Sequence, residues 1–144
     1  GVFFAIVQGS LVKPAIARFG ETKTVKIGFI IEIFALGIIA ILTNGPALLA
    51  FIPIAALGVI GQPALQAILS RATAEDSQGV LQGVLSSLTA ISMIIAPITM
   101  TWVFAEFTRY QATIYFPGAP FVASAVLLII ALATFLKISS KVQN

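Results

Sequence analysis

The chain has 144 residues, 59% of them hydrophobic and 9% charged, with a formal net charge of +3. A soluble domain carries about 25% charged residues, so a mean hydropathy of +1.09 fits a polytopic membrane protein and not a soluble class. Cysteine and histidine are both absent from the sequence, which excludes disulfide scaffolds, thiolate nucleophiles, zinc sites of the usual kind and histidine general bases.

The expected fold class is therefore an all-α transmembrane helix bundle, with lipid as its surroundings. No metal and no cofactor are expected. The cations are few and sit in short gaps between apolar runs, which is a topology pattern and not a nucleic-acid signal.

Gly1 opens directly into apolar sequence, with no Met and nothing like a cleavable signal, so the chain reads as a fragment. Residues 1–12 are apolar, but a helix of that length reaches only about 18 Å, roughly half a span. Residues 13–24 read as a polar connector with Pro14, Arg18, Gly20, Glu21 and Lys23. The second apolar segment covers 24–42, and Thr43-Asn44-Gly45-Pro46 reads as a tight turn. The third segment covers 46–69, with a short polar connector at 70–78. The fourth covers 79–104, the fifth 119–136, and the tail from 137 is polar. Together these make about four and a half helices.

Strict alternation puts Lys13, Arg18, Lys23, Lys26, Arg71, Lys137 and Lys141 on one side and leaves only Arg109 on the other. The positive-inside rule then makes the first side, with the C-terminus, cytoplasmic.

Glu32 lies inside the apolar run 25–42. An ionisable group there costs on the order of 2.5–3.5 kcal/mol on insertion scales, so something must offset it. It follows Lys26 by about 9 Å of helix, which puts it inside the membrane towards the cytoplasmic end. Desolvation disfavours the ionised form. Two readings stand: a proton relay, or a structural role through a hydrogen bond or through snorkelling to the interface.

Gln62 and Gln66 are spaced i, i+4 and share one helical face, which Ser70 continues. That face lines a substrate cavity or makes interhelical hydrogen bonds. Gly58, Gly61 and Pro63 nearby favour a bent or closely packed helix. Gly79, Gly83 and Ser87 form a ladder of small residues that suits close helix packing. Pro97 should bend the same helix.

Between Ser70 and Asp76 one helix ends and another starts, and Thr73 with Asp76 has the spacing of a capping box. Arg71 is within reach of Glu75 or Asp76, as a solvated loop or as a conformational latch. There is no nucleophile–base pair and no phosphate-binding loop, so nothing supports enzyme catalysis.

Taken together, these residues resemble the C-terminal half of a major facilitator superfamily transporter, in its tetracycline-efflux branch of drug/proton antiporters. The resemblance rests on Gly61-Gln62-Pro63-Ala64-Leu65-Gln66-Ala67-Ile68-Leu69-Ser70-Arg71, then Gln78-Gly79-Val80-Leu81-Gln82-Gly83, then Ser87-Leu88-Thr89. The family has a very similar GxPALQAxLSR, QGxLQG and SLT series in its tenth and eleventh helices. Ala17-Arg18-Phe19-Gly20-Glu21 resembles the second copy of the family's cytoplasmic loop motif, matching at Arg18 and Gly20, with Ala17 in place of an Asp. Arg71 and Asp76 are grouped with Arg18 and Gly20 as cytoplasmic loop residues. Glu32 falls where such members carry an acidic residue in helix nine, and Phe4 where some carry a polar residue in helix eight.

The resemblance implies a twelve-helix alternating-access machine of two six-helix halves. It implies export of a small molecule in exchange for protons across a bacterial inner membrane. Glu32 would bind the coupling proton, with the proton gradient as energy source, and Gln62 and Gln66 would face the cavity. The N-terminal half is then the partner this chain needs, and alone it should not transport. The alternatives are an uptake symporter for a sugar or organic acid, or a scaffold domain that moves nothing.

Overall fold

The structure, a computed structural model, describes residues 2–110 and 114–142, without the side chains of Phe4 and Val142. The expectations placed on Gly1 and on the Phe4 side chain lie outside the described residues. Regular structure among the described residues is helical throughout. In chain order it comprises α1 (Val2–Ser10), α2 (Val12–Phe19), α3 (Glu21–Ile41), α4 (Gly45–Ala56), a 3₁₀ turn (Leu57–Ile60), α5 (Gly61–Ala72), a short 3₁₀ turn (Glu75–Ser77), α6 (Gln78–Thr108) and α7 (Ala119–Val142). Four stretches are long and apolar enough to cross a membrane: Glu21–Ile41, Gly45–Ala72, Glu75–Thr108 and Ala119–Lys141.

The supposed connector at 13–24 is mostly helix, which corrects the sequence reading. Backbone bonds from Leu11 N–H to Val7 O (2.9 Å) and from Ala15 N–H to Leu11 O (3.0 Å) carry the helix across the junction. Pro14, in the first turn of α2, lacks the N–H that would reach Ser10 O in this register, and the helix is interrupted only at Leu11. The break is confined to Gly20, at φ +79°, a conformation that side-chain-bearing residues avoid. Gly20 N–H closes α2 on Ile16 O (2.8 Å). Its carbonyl opens α3, accepting from Thr24 N–H (3.1 Å) and Thr24 Oγ1 (2.7 Å).

At the next junction Asn44 caps α4, accepting weakly from Ala47 N–H at 3.5 Å, and a proline follows in the first turn. Within the third span, Pro53 and Pro63 each lack a donor. Between them the ladder tightens to 3₁₀ bonds, Leu57 N–H to Ile54 O and Gly61 N–H to Gly58 O. By contrast, α6 runs unbroken through Pro97. The polar tail is not a tail, since α7 stays helical to Val142.

The centre of the bundle is α3, which packs on α7, α5, the Leu57–Ile60 turn, α4 and α2. Its buried residues Val25 and Phe29 meet Ala64 of α5, with Leu128, Leu132 and Phe135 of α7 against them. At the other end Gly118, just before α7, lies against Ala40 of α3, so α3 and α7 are antiparallel. Lys137 and Lys141 therefore stand at the same end as Gly20, Lys23 and Arg71. Arg109 stands at the opposite end, where Phe116 N–H reaches Phe107 O (3.0 Å).

No described residue of α6 is buried; it packs on α7, with Ser124 Oγ 3.8 Å from Met100 S. Met93 (72% exposed), Trp102 and Phe34 (both 67%) stand out from the bundle. Continuous apolar exposure of this kind needs lipid or a partner helix to cover it.

Candidate functional site

Glu32 stands half-buried on α3, in a cleft of about 230 Å³ between α3, α4 and the Leu57–Ile60 turn. The walls are apolar: Ala35, Leu36 and Ile39 on its own helix, and Ile52, Ala55 and Val59 opposite. Among the described residues no hydrogen bond or ion pair reaches its carboxyl. Neither α4 nor the turn carries an ionisable side chain. Among the described residues, nothing supplies the partner that a structural hydrogen bond of Glu32 would need.

Three glycines bring the helices together beside this cleft. A side chain on Gly28 would meet the backbone of Gly61 and, at 2.9 Å, the Gly58 carbonyl. One on Gly61 would meet the Phe29 ring at 2.7 Å. One on Gly58 would meet Glu32 itself, 2.8 Å from Cβ and 2.9 Å from Cα and N. Gly58 and Gly61 are close-packing glycines, as the sequence suggests. Gly28 carries no local signal of its role, because finding it requires knowing which face of α3 meets the third span.

Gln62 and Gln66 are both exposed, on the side of α5 away from buried Gly61 and Ala64. They do share a face, but the structure does not bring them into the Glu32 cleft. Neither makes a side-chain hydrogen bond among the described residues. Gly79, Gly83 and Ser87 are exposed too, and a Cβ on either glycine would meet nothing within 4 Å. Ser87 Oγ donates to Gly83 O at 2.9 Å within its own helix. Among the described residues nothing crowds the glycines of the ladder, and the tight crossings lie elsewhere.

The loops at the cation-rich end differ from the sequence reading in one pairing and one cap. Arg71 pairs with Glu21, Nε to Oε1 at 3.1 Å, rather than with Glu75 or Asp76. The reason is that α5 continues to Ala72 and carries Arg71 to the start of α3. Glu21 lies in the first turn of α3 and Arg71 in the last turn of α5, each the sign that its helix end favours. The contact is an ion pair and not an aligned hydrogen bond, since Glu21 Oε1 is buried and takes no well-directed donor.

The capping box does not form: Thr73 Oγ1 donates back to Leu69 O (2.8 Å), and Asp76 accepts from Ser77 Oγ (3.1 Å). Gln78 does the capping instead. Its Nε2 donates to Ser70 O (2.7 Å) and Thr73 O (2.9 Å), and its Oε1 accepts from Ser70 Oγ (3.0 Å). Carbonyls left over at the end of α5 are thereby satisfied. Sequence spacing holds no signal for this, because the amide folds back over a turn. Arg18 lies over the Phe19 ring, 5.9 Å from its centroid.

Comparison with known proteins returns several tetracycline resistance proteins. The class C tetracycline resistance protein of Escherichia coli is 36% identical over 105 residues, 73% of this chain and 26% of its own length. This chain is a homologue of the tetracycline resistance proteins. The class G protein of Vibrio anguillarum is 33% identical over 133 residues, 92% of this chain and 32% of its own length. The class H protein of Pasteurella multocida is 34% identical over 132 residues, 90% of this chain and 32% of its own length. The chain spans between a quarter and a third of these tetracycline resistance proteins. No family model matches it, and no solved structure does.

Proposed function

We propose that this chain is part of a proton-coupled drug exporter of the major facilitator superfamily, exporting a tetracycline-like small molecule by alternating access. It sits in a bacterial inner membrane, with the Gly20 and Arg71 loops and the C-terminus on the cytoplasmic side. Its partners are lipid, protons, the small-molecule substrate and the remainder of the transporter. It works by transport and not by catalysis, with the proton gradient in place of a cofactor.

The observation that carries this reading is Glu32. A charged carboxylate without a counter-ion in an apolar cleft is costly, and a neutral acid much less so. Loading a proton therefore changes the free energy of whichever conformation closes the cleft, and that difference is what couples proton flow to a conformational cycle. Gln62 and Gln66 offer amides on an exposed face, suited to a cavity completed by the rest of the transporter.

The test is proton movement in inverted membrane vesicles holding the full transporter that carries this chain. With the lumen acidified, adding tetracycline should release protons from the lumen as drug enters it. Drug and protons entering together would give the symporter instead. No proton movement on drug addition would leave a scaffold.

A further inference from the structure

Gly58 does more than let two helices touch. It sits in the Leu57–Ile60 turn, where the third span tightens from α to 3₁₀ geometry and back. A mid-helix 3₁₀ stretch often marks a hinge. Here the turn has a clear chemical origin. Pro63 lacks the N–H that would reach Val59 O in an α-helix, and Gly61 N–H bonds Gly58 O in the 3₁₀ register. The backbone of that turn lies directly on the Glu32 backbone and Cβ, with no room for a single methyl group. Val59, the next residue, helps wall the cleft.

We propose that Gly58 is a positioning residue for Glu32: the bare backbone of the 3₁₀ turn fixes where the carboxyl stands and moves it when the third span bends. This rests on the reading that Glu32 carries the coupling proton. Among the described residues no other ionisable group competes at that point. On the elements packed against α3, α5 holds only Arg71, α7 holds Lys137 and Lys141, and α2 holds Lys13 and Arg18, all at the Gly20 end. On α3 itself the others are Glu21, Lys23 and Lys26, towards the same end. Gly61 belongs to the same crossing, but it faces the Phe29 ring and not Glu32.

The experiment compares Gly58→Ala, Gly61→Ala and Pro63→Ala in the full transporter, reading drug uptake by inverted vesicles across a series of pH values. Melting in detergent is measured alongside. A misplacement of about 1 Å in a positioned group can cost on the order of 100-fold in rate. Gly58→Ala should cut the maximal rate at least about tenfold on that scale and move the pH at half-maximal rate, with KM little changed. Gly61→Ala should lower the melting temperature and leave the pH profile where it was.

Pro63→Ala restores a backbone donor without adding bulk, so it shifts the turn even if Gly58→Ala fails to accumulate. It should move the pH profile in its own right. A wild-type pH profile in Pro63→Ala, or in a folded Gly58→Ala, overturns the proposal and leaves Gly58 a packing residue. Glu32→Gln in parallel separates the two failures: if it keeps uphill transport, the coupling reading itself is wrong.

Discussion

Replacing Gln78 with Ala removes the clamp that ends α5 and starts α6. Two donated bonds are lost, to Ser70 O and Thr73 O, and the Ser70 hydroxyl loses its acceptor. A typical bond of this kind contributes about 0.5–1.5 kcal/mol net, so the two donated bonds together contribute about 1–3 kcal/mol. Gln78 and Ser70 are only half-buried, and water can replace part of the loss. The expected cost is then in the lower half of that range, about 1–2 kcal/mol. Gln78→Glu should cost more than Gln78→Ala, because it keeps the length and sets a carboxylate against two carbonyl oxygens. Gln82→Ala serves as the control. Gln82 is exposed, it makes no side-chain hydrogen bond among the described residues, and its loss should stay within about 0.5 kcal/mol. The assay is unfolding in mixed micelles followed by helical circular dichroism, with hydrogen exchange read at residues 70–77. Gln78→Ala that unfolds and exchanges like Gln82→Ala would refute the clamp.

Other outcomes follow from the same packing. Gly118→Ala drives a methyl group into the Ala40 carbonyl, and overpacking between two backbones should cost about 1–3 kcal/mol, read in the same unfolding assay. Gly83→Leu points into open space, so in this chain alone the expected change is within about 0.5 kcal/mol; a loss of folded protein that appears only in the full transporter locates a partner helix on that face. Single cysteines at Thr22, Thr73 and Ser140 should resist an impermeant reagent in whole cells while one at Arg109 reacts, and labelling of Thr73 from outside would invert the topology.

The spans were legible because lipid leaves a chain few choices. Backbone groups must be paired within the segment, and about 20 apolar residues are needed to cross. Gly20 was visible as a motif residue, and its positive φ supplies the reason. The stretch at 13–24 misled because Lys13, Pro14 and Arg18 read as a loop, whereas long cationic side chains are ordinary on a helix near the membrane surface. Local spacing offered Arg71 only its nearby carboxylates. Its partner Glu21 lies on another helix, and only the fold brings the two together.

The glycine ladder of α6 and the glycines around Glu32 look alike as sequence. Which set packs within the chain depends on helix rotation, and small-residue spacing does not encode rotation. Glu32 itself stood out at once, because a lone carboxylate in an apolar run needs a reason to be there. The backbone of Gly58 against it could not be read from either segment alone.

The central claim is that Glu32 loads and unloads a proton. The most direct measurement is Glu32→Gln in the full transporter, assayed as drug uptake into inverted vesicles under an imposed pH gradient, with protein level checked by blot. The amide keeps the size and polarity of the neutral acid but has no proton to release. Uphill uptake should be abolished while expression stays largely intact, and Glu32→Asp should retain part of the activity. Wild-type accumulation by Glu32→Gln would contradict the account and leave Glu32 with a structural role.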